Sequence, residues 1–173
     1  MSKLSSPVIQ IKIRQIFATL LGDDAHIIDI QQLKGGVFNS TYFVKTGQEK
    51  NGYVLRVAPQ NQKRLFAFEK NMMSAEPHFY WLLQDKGIPT STVVKHDDSR
   101  QLIDREYIIF EYIPSVPMND DRVPQAARPA LYRQLGKLIA ALHEIKGDSF
   151  GWYRTDNTLP MHNSWGAFLH CFA

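Results

Sequence analysis

The chain has 173 residues, 44% of them hydrophobic, and a formal net charge of +3 at pH 7. A chain of this length and composition can bury an apolar core, and its scattered Lys and Arg residues give little support to nucleic-acid binding. The single cysteine, Cys171, excludes an internal disulfide framework and indicates a reducing compartment. Charged residues interrupt the first apolar stretch every few positions, which excludes a signal-peptide core or a membrane span there. We therefore expect a cytoplasmic protein that has neither a membrane nor nucleic acid as a partner.

The first predicted element is an amphipathic helix. Apolar residues from Val8 to Leu21 recur at helical spacing, and Gly22 follows where a helix C-cap is expected. Three short segments rich in Ile, Val, Tyr and Phe then predict strands in an antiparallel meander. These segments cover residues 27–33, 42–46 and 53–57, and turns at Gly35-Gly36 and at 47–52 separate them.

Residues 62–86 carry apolar side chains at helical spacing, but Pro77 interrupts them. Because proline is well tolerated in the first turn of a helix, we expect two helices, the second running over 75–86 with Ser74 as its N-cap. Two further strands are predicted at 92–96 and 106–113, on either side of a turn.

The predicted fold is α+β, with a five-stranded antiparallel sheet and a helix in residues 1–113. A proline-rich linker follows, and residues 114–173 contain a helix that begins near Leu131 and ends near Ile145. The sequence therefore predicts two parts, a sheet-based lobe at 1–113 and the start of a helical lobe at 114–173.

The glycine turn is the most informative local pattern. Gly35 and Gly36 stand between two strand-like runs, and the next strand carries one cation, Arg56, among apolar residues. A glycine hairpin lets the backbone approach phosphate oxygens, and Asn39 or Ser40 could add side-chain donors. A glycine pair alone more often makes only a turn, and a lone strand arginine is often simply solvated. The two features together favour a phosphate-binding site.

In chain order, these and later motifs resemble the small lobe of the aminoglycoside phosphotransferase and choline kinase family, whose fold is protein-kinase-like. The matching pieces are Leu33-x-Gly35-Gly36-x-x-Asn39, Val54-Leu55-Arg56-Val57, Glu76, Phe110-Glu111-Tyr112-Ile113-Pro114 and Leu135-Gly136-x-x-Ile139-Ala140-Ala141-Leu142-His143. Each piece is unspecific by itself, whereas their shared order and spacing over residues 33–143 is specific.

The resemblance implies a role for each matching residue. Arg56 takes the place of the lysine that pairs with nucleotide phosphates, and Glu76 is the helix carboxylate that orients it. Glu69 competes for that role, and Glu76 could instead be an ordinary first-turn glutamate. The Glu111 carbonyl and the Ile113 N–H would bind the adenine edge through the backbone, although both residues also suit a plain edge strand.

The catalytic half of such an enzyme is not found in these residues. The family uses a catalytic loop, His-x-Asp-x-x-x-x-Asn, and a later Asp-x-Asp that binds Mg²⁺. His96-Asp97-Asp98 is the nearest match, but Ile103 stands where Asn is required, and no two aspartates are separated by one residue. The six histidines show no metal-ligand spacing and are interpreted as structural.

We therefore expect the N-terminal part of an ATP- or GTP-dependent phosphotransferase that is inactive alone. Mg²⁺ and a small-molecule hydroxyl acceptor would bind only to a full-length protein, and the resemblance implies an aminoglycoside-, choline- or homoserine-like acceptor. The alternative is a non-catalytic nucleotide-binding or protein-interaction remnant of the kinase-like fold. An interrupted helical lobe would expose apolar side chains at its end, which favours a homodimer.

Overall fold

A computed structural model of the chain describes residues 7–22, 25–34, 38–47 and 52–172. The chain forms two compact units, of which the first consists of residues 1–81 and 91–113 and the second of residues 82–90 and 114–173. The first unit contains the β-sheet. The second contains the long helix of the C-terminal half.

The sheet has five antiparallel strands in the order β1-β2-β3-β5-β4. The strands are β1 (Ile27–Leu33), β2 (Ser40–Thr46), β3 (Tyr53–Val57), β4 (Val93–Asp97) and β5 (Tyr107–Glu111). The predicted α+β class, the meander of the first three strands and the five-stranded sheet are confirmed, and the strand ends differ from the predicted ends by at most two residues.

Helix α1 (Gln10–Leu21) covers one face of this sheet. Its Ile13, Ile16 and Phe17 are 0% exposed. They share a core with apolar side chains of all five strands or their flanks, among them Ile27, Val44, Leu55, Val57, Tyr107, Ile109 and the partly buried Val94. Alternation along the strands sends these side chains to one face, so burying them anchors α1 and sets the register of the sheet.

The opposite face of the sheet carries a smaller apolar cluster and several polar side chains. Ile108 on β5 lies opposite Arg56 on β3 and opposite His96 on β4. Residues that are directly paired across strands point to the same face, so these three side chains lie on one side of the sheet. Ile108 packs there with Ala58, Met73 and Phe110.

Pro77 lies in the first turn of helix α2 (Glu76–Asp85), as predicted, but the helix begins two residues after Ser74. The helix predicted before it is wrong, because the chain forms three short 3₁₀ helices there instead. These are Gln62–Arg64, Ala67–Glu69 and Met72–Ala75. Asn71 takes the left-handed conformation with φ of 53°, which a continuous helix cannot contain. Ser74 therefore lies inside the last 3₁₀ helix and is not the N-cap of α2.

Both edge strands of the sheet contain an irregularity. The register of β1 with β2 shifts between Ile27 and Asp29, and the register of β4 with β5 shifts between Val93 and Lys95. Such bulges bend a strand and increase its local twist. The central strands β2, β3 and β5 pair without a shift.

The second unit contains α3 (Arg128–His143) and the short α4 (Trp165–Leu169). Proline in the first turn of α3 is compatible with a helix start, and the Ser164 hydroxyl caps α4 by accepting a hydrogen bond from the Ala167 N–H at 3.1 Å. The rings of Trp165 and Phe168 lie 5.3 Å apart. Among the described residues, no helix is long and apolar enough to cross a membrane.

Candidate functional site

The clearest polar contact on the second face of the sheet joins Arg56 to Glu76. The Arg56 Nη1 donates to Glu76 Oε2 at 2.6 Å, and Nη2 donates to Oε1 at 3.1 Å. Both side chains are partly buried, with exposures of 28% and 26%. A planar guanidinium and a carboxylate can form two parallel hydrogen bonds, which fix the orientation of both groups. The guanidinium has further N–H donors that can reach a second anion.

Burial changes the acidity of this carboxylate. Removal from water raises the pKa of Glu76 above its ordinary value, and this effect outweighs the opposite effect of the Arg56 charge and hydrogen bonds. The nearby Glu106 carboxylate raises the pKa of Glu76 further, whereas His96 lowers it. Glu76 is therefore part of a larger charged group and not of an isolated ion pair.

Glu106 lies directly before β5 and is 3% exposed. Its Oε1 lies 2.6 Å from the His96 Nε2 on β4, and its Oε2 accepts a hydrogen bond from the Ser74 hydroxyl at 3.3 Å. The backbone carbonyl of Glu106 also accepts from the Ala58 N–H at 2.9 Å, directly after β3. Both carboxylate oxygens thus have partners, as a buried carboxylate requires.

The structure also decides which of two glutamates contacts Arg56. Glu69, the competing residue, uses its Oε2 to accept a hydrogen bond from the Phe66 N–H at 2.9 Å. Glu76 makes both hydrogen bonds to Arg56.

The other predicted site residues lie around the same sheet. Ser40, at the start of β2, is 3% exposed and lies opposite Val57, while Asn39 directly before it is partly exposed. Gly35 and Gly36 lie outside the described residues.

The predicted hinge follows the end of β5. The Tyr112 N–H donates to the Gly52 carbonyl at 3.1 Å, and the Glu111 N–H donates to the Thr92 carbonyl at 3.1 Å. Consecutive N–H groups of an extended strand point to opposite sides, so the backbone of Glu111 points away from β3. Ile113 follows at 51% exposure.

Sequence reasoning missed Glu106 and assigned His96 a purely structural role. The available signal was a histidine at the end of one predicted strand and a glutamate at the start of the next, each close to an apolar run. Strand order alone could not show that both belong to the same face as Arg56, because that requires the register of β4 on β5.

Comparison with known proteins agrees with this architecture. A model of the phosphotransferase enzyme family matches residues 29–166, well over half of the chain. The chain belongs to this family. This member of the phosphotransferase enzyme family is also 24% identical over 119 residues to a Staphylococcus aureus protein described as an uncharacterized protein in the ileS 3′ region. That alignment covers 69% of the chain and 75% of the relative.

Solved structures of similar fold include a protein of Haemophilus somnus provisionally assigned as a fructosamine-3-kinase, with a TM-score of 0.59 and 19% identity. A protein of Ralstonia eutropha provisionally assigned as an aminoglycoside phosphotransferase has a TM-score of 0.54 and 20% identity. A thermostable mutant of the aminoglycoside phosphotransferase APH(4)-Ia, in ternary complex with AMP-PNP and hygromycin B, has a TM-score of 0.54 and 16% identity.

The alignments to these structures cover 91%, 80% and 78% of this chain respectively, but only 49%, 39% and 40% of the solved chains. The phosphotransferase-family chain thus spans less than half the length of these relatives. At these identities the likeness establishes the fold, and it confirms the kinase-like α+β class that the sequence predicts.

Proposed function

We propose that this chain supplies the nucleotide-binding part of an ATP- or GTP-dependent phosphotransferase that acts on a hydroxyl group of a small molecule. The single observation that carries the proposal is the bidentate contact between Arg56 and Glu76 on a five-stranded antiparallel sheet. Phosphoryl transfer depends mainly on positioning the nucleotide and on stabilising its negative charge. An arginine held in a fixed orientation by a carboxylate suits both tasks.

In the proposed arrangement, Arg56 binds the phosphates and Glu76 keeps its guanidinium in place. The glycine turn at Gly35-Gly36 approaches the phosphates through its backbone, and Asn39 is better placed than the buried Ser40 to add a side-chain donor. The base is read through the backbone at the end of β5 and directly after it, by the Glu111 carbonyl and the Ile113 N–H.

The acceptor is proposed to be an aminoglycoside-, choline- or homoserine-like hydroxyl compound, bound together with Mg²⁺ in a longer protein. The family membership and the hygromycin B complex of a structural relative support this substrate class. These 173 residues lack the His-x-Asp-x-x-x-x-Asn and Asp-x-Asp patterns. The transfer chemistry would therefore depend on further residues, because a base and a metal site are both needed.

The same sequence observation favours a second candidate function, which is nucleotide binding without transfer. Both candidates predict that the 173-residue chain alone does not transfer phosphate, and an assay with ATP and a panel of hydroxyl acceptors tests this shared expectation. Transfer at rates of ordinary enzymes would contradict the expectation that the chain alone is inactive.

Calorimetric titration with ATP and with GTP tests the leading proposal. We expect Arg56→Ala to weaken binding of the preferred nucleotide by at least about tenfold, because it removes the fixed phosphate donor. Arg56→Lys should retain part of the affinity, since lysine supplies the charge without the fork.

The matched control is Arg133→Ala, which removes an exposed arginine from α3 and should leave affinity unchanged. Equal affinities of wild type and Arg56→Ala would remove the central role given to Arg56.

A further inference from the structure

The polar face of the sheet contains a second pair that the proposed function does not use. His96 and Glu106 lie 2.6 Å apart, and Glu106 also contacts Ser74, which stands two residues before Glu76. The buried carboxylate therefore connects β4, β5 and the 3₁₀ helix that leads into α2. This connection helps to fix the position of Glu76, because the 3₁₀ helix Met72–Ala75 is followed directly by Glu76.

We propose that His96 and Glu106 form a positioning pair that holds the start of α2 and, through the charge on His96, sets how strongly the Arg56–Glu76 pair attracts nucleotide phosphates. The inference rests on the proposed function, because it concerns the affinity of that same site. His96 and Glu106 would not contact the nucleotide and would act on it only through Glu76 and Arg56.

The mechanical part of the argument begins with Ser74. Its hydroxyl lies 3.3 Å from Glu106 Oε2 and 3.0 Å from the Asn71 carbonyl. The hydroxyl has one proton to share between these two acceptors, so the turn at Asn71 and the buried Glu106 are linked through it. Glu106 is itself fixed by its backbone bond to Ala58, directly beyond β3. The start of α2 is thereby tied to the strand that carries Arg56.

The electrostatic part concerns the balance of charge. When His96 is protonated, its charge and that of Arg56 balance those of Glu76 and Glu106. When His96 is neutral, the four side chains carry a net negative charge, and that charge repels a triphosphate. Affinity for phosphate should therefore fall as His96 loses its proton.

Several charged groups act on His96. The hydrogen bond that protonated His96 donates to Glu106 raises the pKa of His96, and this outweighs the effect of burial. The charges of Glu106, Asp98 and Asp97 raise this pKa further. Lys95 lies 3.9 Å from Asp97 and partly offsets that carboxylate. On the side of α2 and β3, His96 interacts with Glu76, whose partner is Arg56. Acidic groups predominate, so His96 keeps its proton to a higher pH than a free histidine.

Calorimetric titration of the 173-residue chain with ATP, from about pH 6 to about pH 9, tests the inference. We expect the wild-type affinity to fall on the order of fivefold to tenfold as the pH rises. His96→Gln should show the weaker affinity already at low pH, and its remaining pH dependence should be that of ATP alone.

His26→Gln is the matched control, because His26 is an exposed histidine directly before β1 and outside the group formed by Arg56, Glu76, His96 and Glu106. It should reproduce the wild-type pH profile. Adenosine, which lacks phosphates, should bind with no dependence on His96. A wild-type profile in His96→Gln would overturn the inference.

A second measurement does not require nucleotide. Carbon-detected NMR of the Glu76 carboxyl group should show a higher pKa in His96→Gln than in wild type, because the positive charge that lowers it is gone. An unchanged pKa of Glu76 would overturn the inference whatever ATP does. If the pKa shifts but wild type binds no ATP, then the proposed function and the nucleotide part of this inference are both overturned. Normal ATP binding with no effect of His96→Gln overturns the inference alone.

Ser74→Ala separates the mechanical part from the electrostatic part. It removes the hydroxyl between Glu106 and Asn71 but leaves His96 and its charge in place. We expect a loss of ATP affinity of about twofold to threefold with the wild-type pH profile retained. A flat pH profile in Ser74→Ala would contradict the assignment of the charge effect to His96.

Discussion

Against α1, the sheet buries a continuous set of apolar side chains, whereas its opposite face holds a smaller apolar cluster beside Arg56, Glu76, His96 and Glu106. The same strands build both faces, because neighbouring residues such as Leu55 and Arg56 point in opposite directions. The first face can contribute most of the stability through apolar burial. The second face holds buried and partly buried charges, which rarely add net stability and are typical of functional sites.

The largest effect should come from the apolar face. Ile16→Ala removes a side chain that is 0% exposed, and we expect the free energy of unfolding to fall by about 2–5 kcal/mol in urea denaturation. Ile11→Ala makes the same change on the same helix at a side chain that is 61% exposed. It should change the free energy of unfolding by less than about 0.5 kcal/mol. Similar losses in the two variants would contradict the conclusion that apolar burial between α1 and the sheet stabilises the fold.

An intermediate effect is expected from a substitution on the polar face, and it should change nucleotide binding more than the free energy of unfolding. Glu76→Gln keeps the shape of the side chain but removes the charge that orients Arg56, so ATP affinity should fall about tenfold in calorimetry. Glu69→Gln is the matched control, since Glu69 binds the Phe66 N–H and not Arg56. If Glu69→Gln weakened binding as much as Glu76→Gln, the role proposed for Glu76 would be wrong.

The smallest effect concerns stability as a function of pH. The hydrogen bond to Glu106 raises the pKa of His96 in the folded state, so the stabilisation is complete below the unfolded value of about 6.5. It is lost as the pH rises through the folded pKa. We expect the wild-type free energy of unfolding to fall by less than about 1 kcal/mol between about pH 6 and about pH 9, because His96 is partly exposed and solvent screens the pair. Urea denaturation of His96→Gln should show no such fall, and an identical fall would contradict the assignment.

The strands and the α1 face could be read from the sequence because their signals are local. Runs such as Tyr53–Val57 combine β-branched and aromatic residues with flanking turn residues, and the structure places the strand at the same residues. The family resemblance favoured Glu76 over Glu69 as the partner of Arg56, and Glu76 makes that contact. The prediction of a helix within residues 62–75 failed because apolar spacing does not reveal the left-handed conformation of Asn71, which a helix cannot contain.

The His96–Glu106 pair could not be predicted in the same way. The two residues are ten positions apart, and their contact depends on the turn between β4 and β5 and on the shift within β4. A one-residue change of register would send His96 to the face that packs on α1. The face of the sheet on which such a polar residue lies can therefore be predicted only once the pairing of the strands is known.

The shifted registers of β1 and β4 have a consequence for the protein in a crowded solution. An edge strand with a regular row of unpaired N–H and C=O groups is a template on which a strand of another molecule can add. In this sheet the two outermost strands are the ones that are interrupted, while the three inner strands are regular. Bulged edge strands disfavour edge-to-edge pairing with strands of other molecules. The irregularities in β1 and β4 should therefore reduce aggregation through the two edges of this sheet.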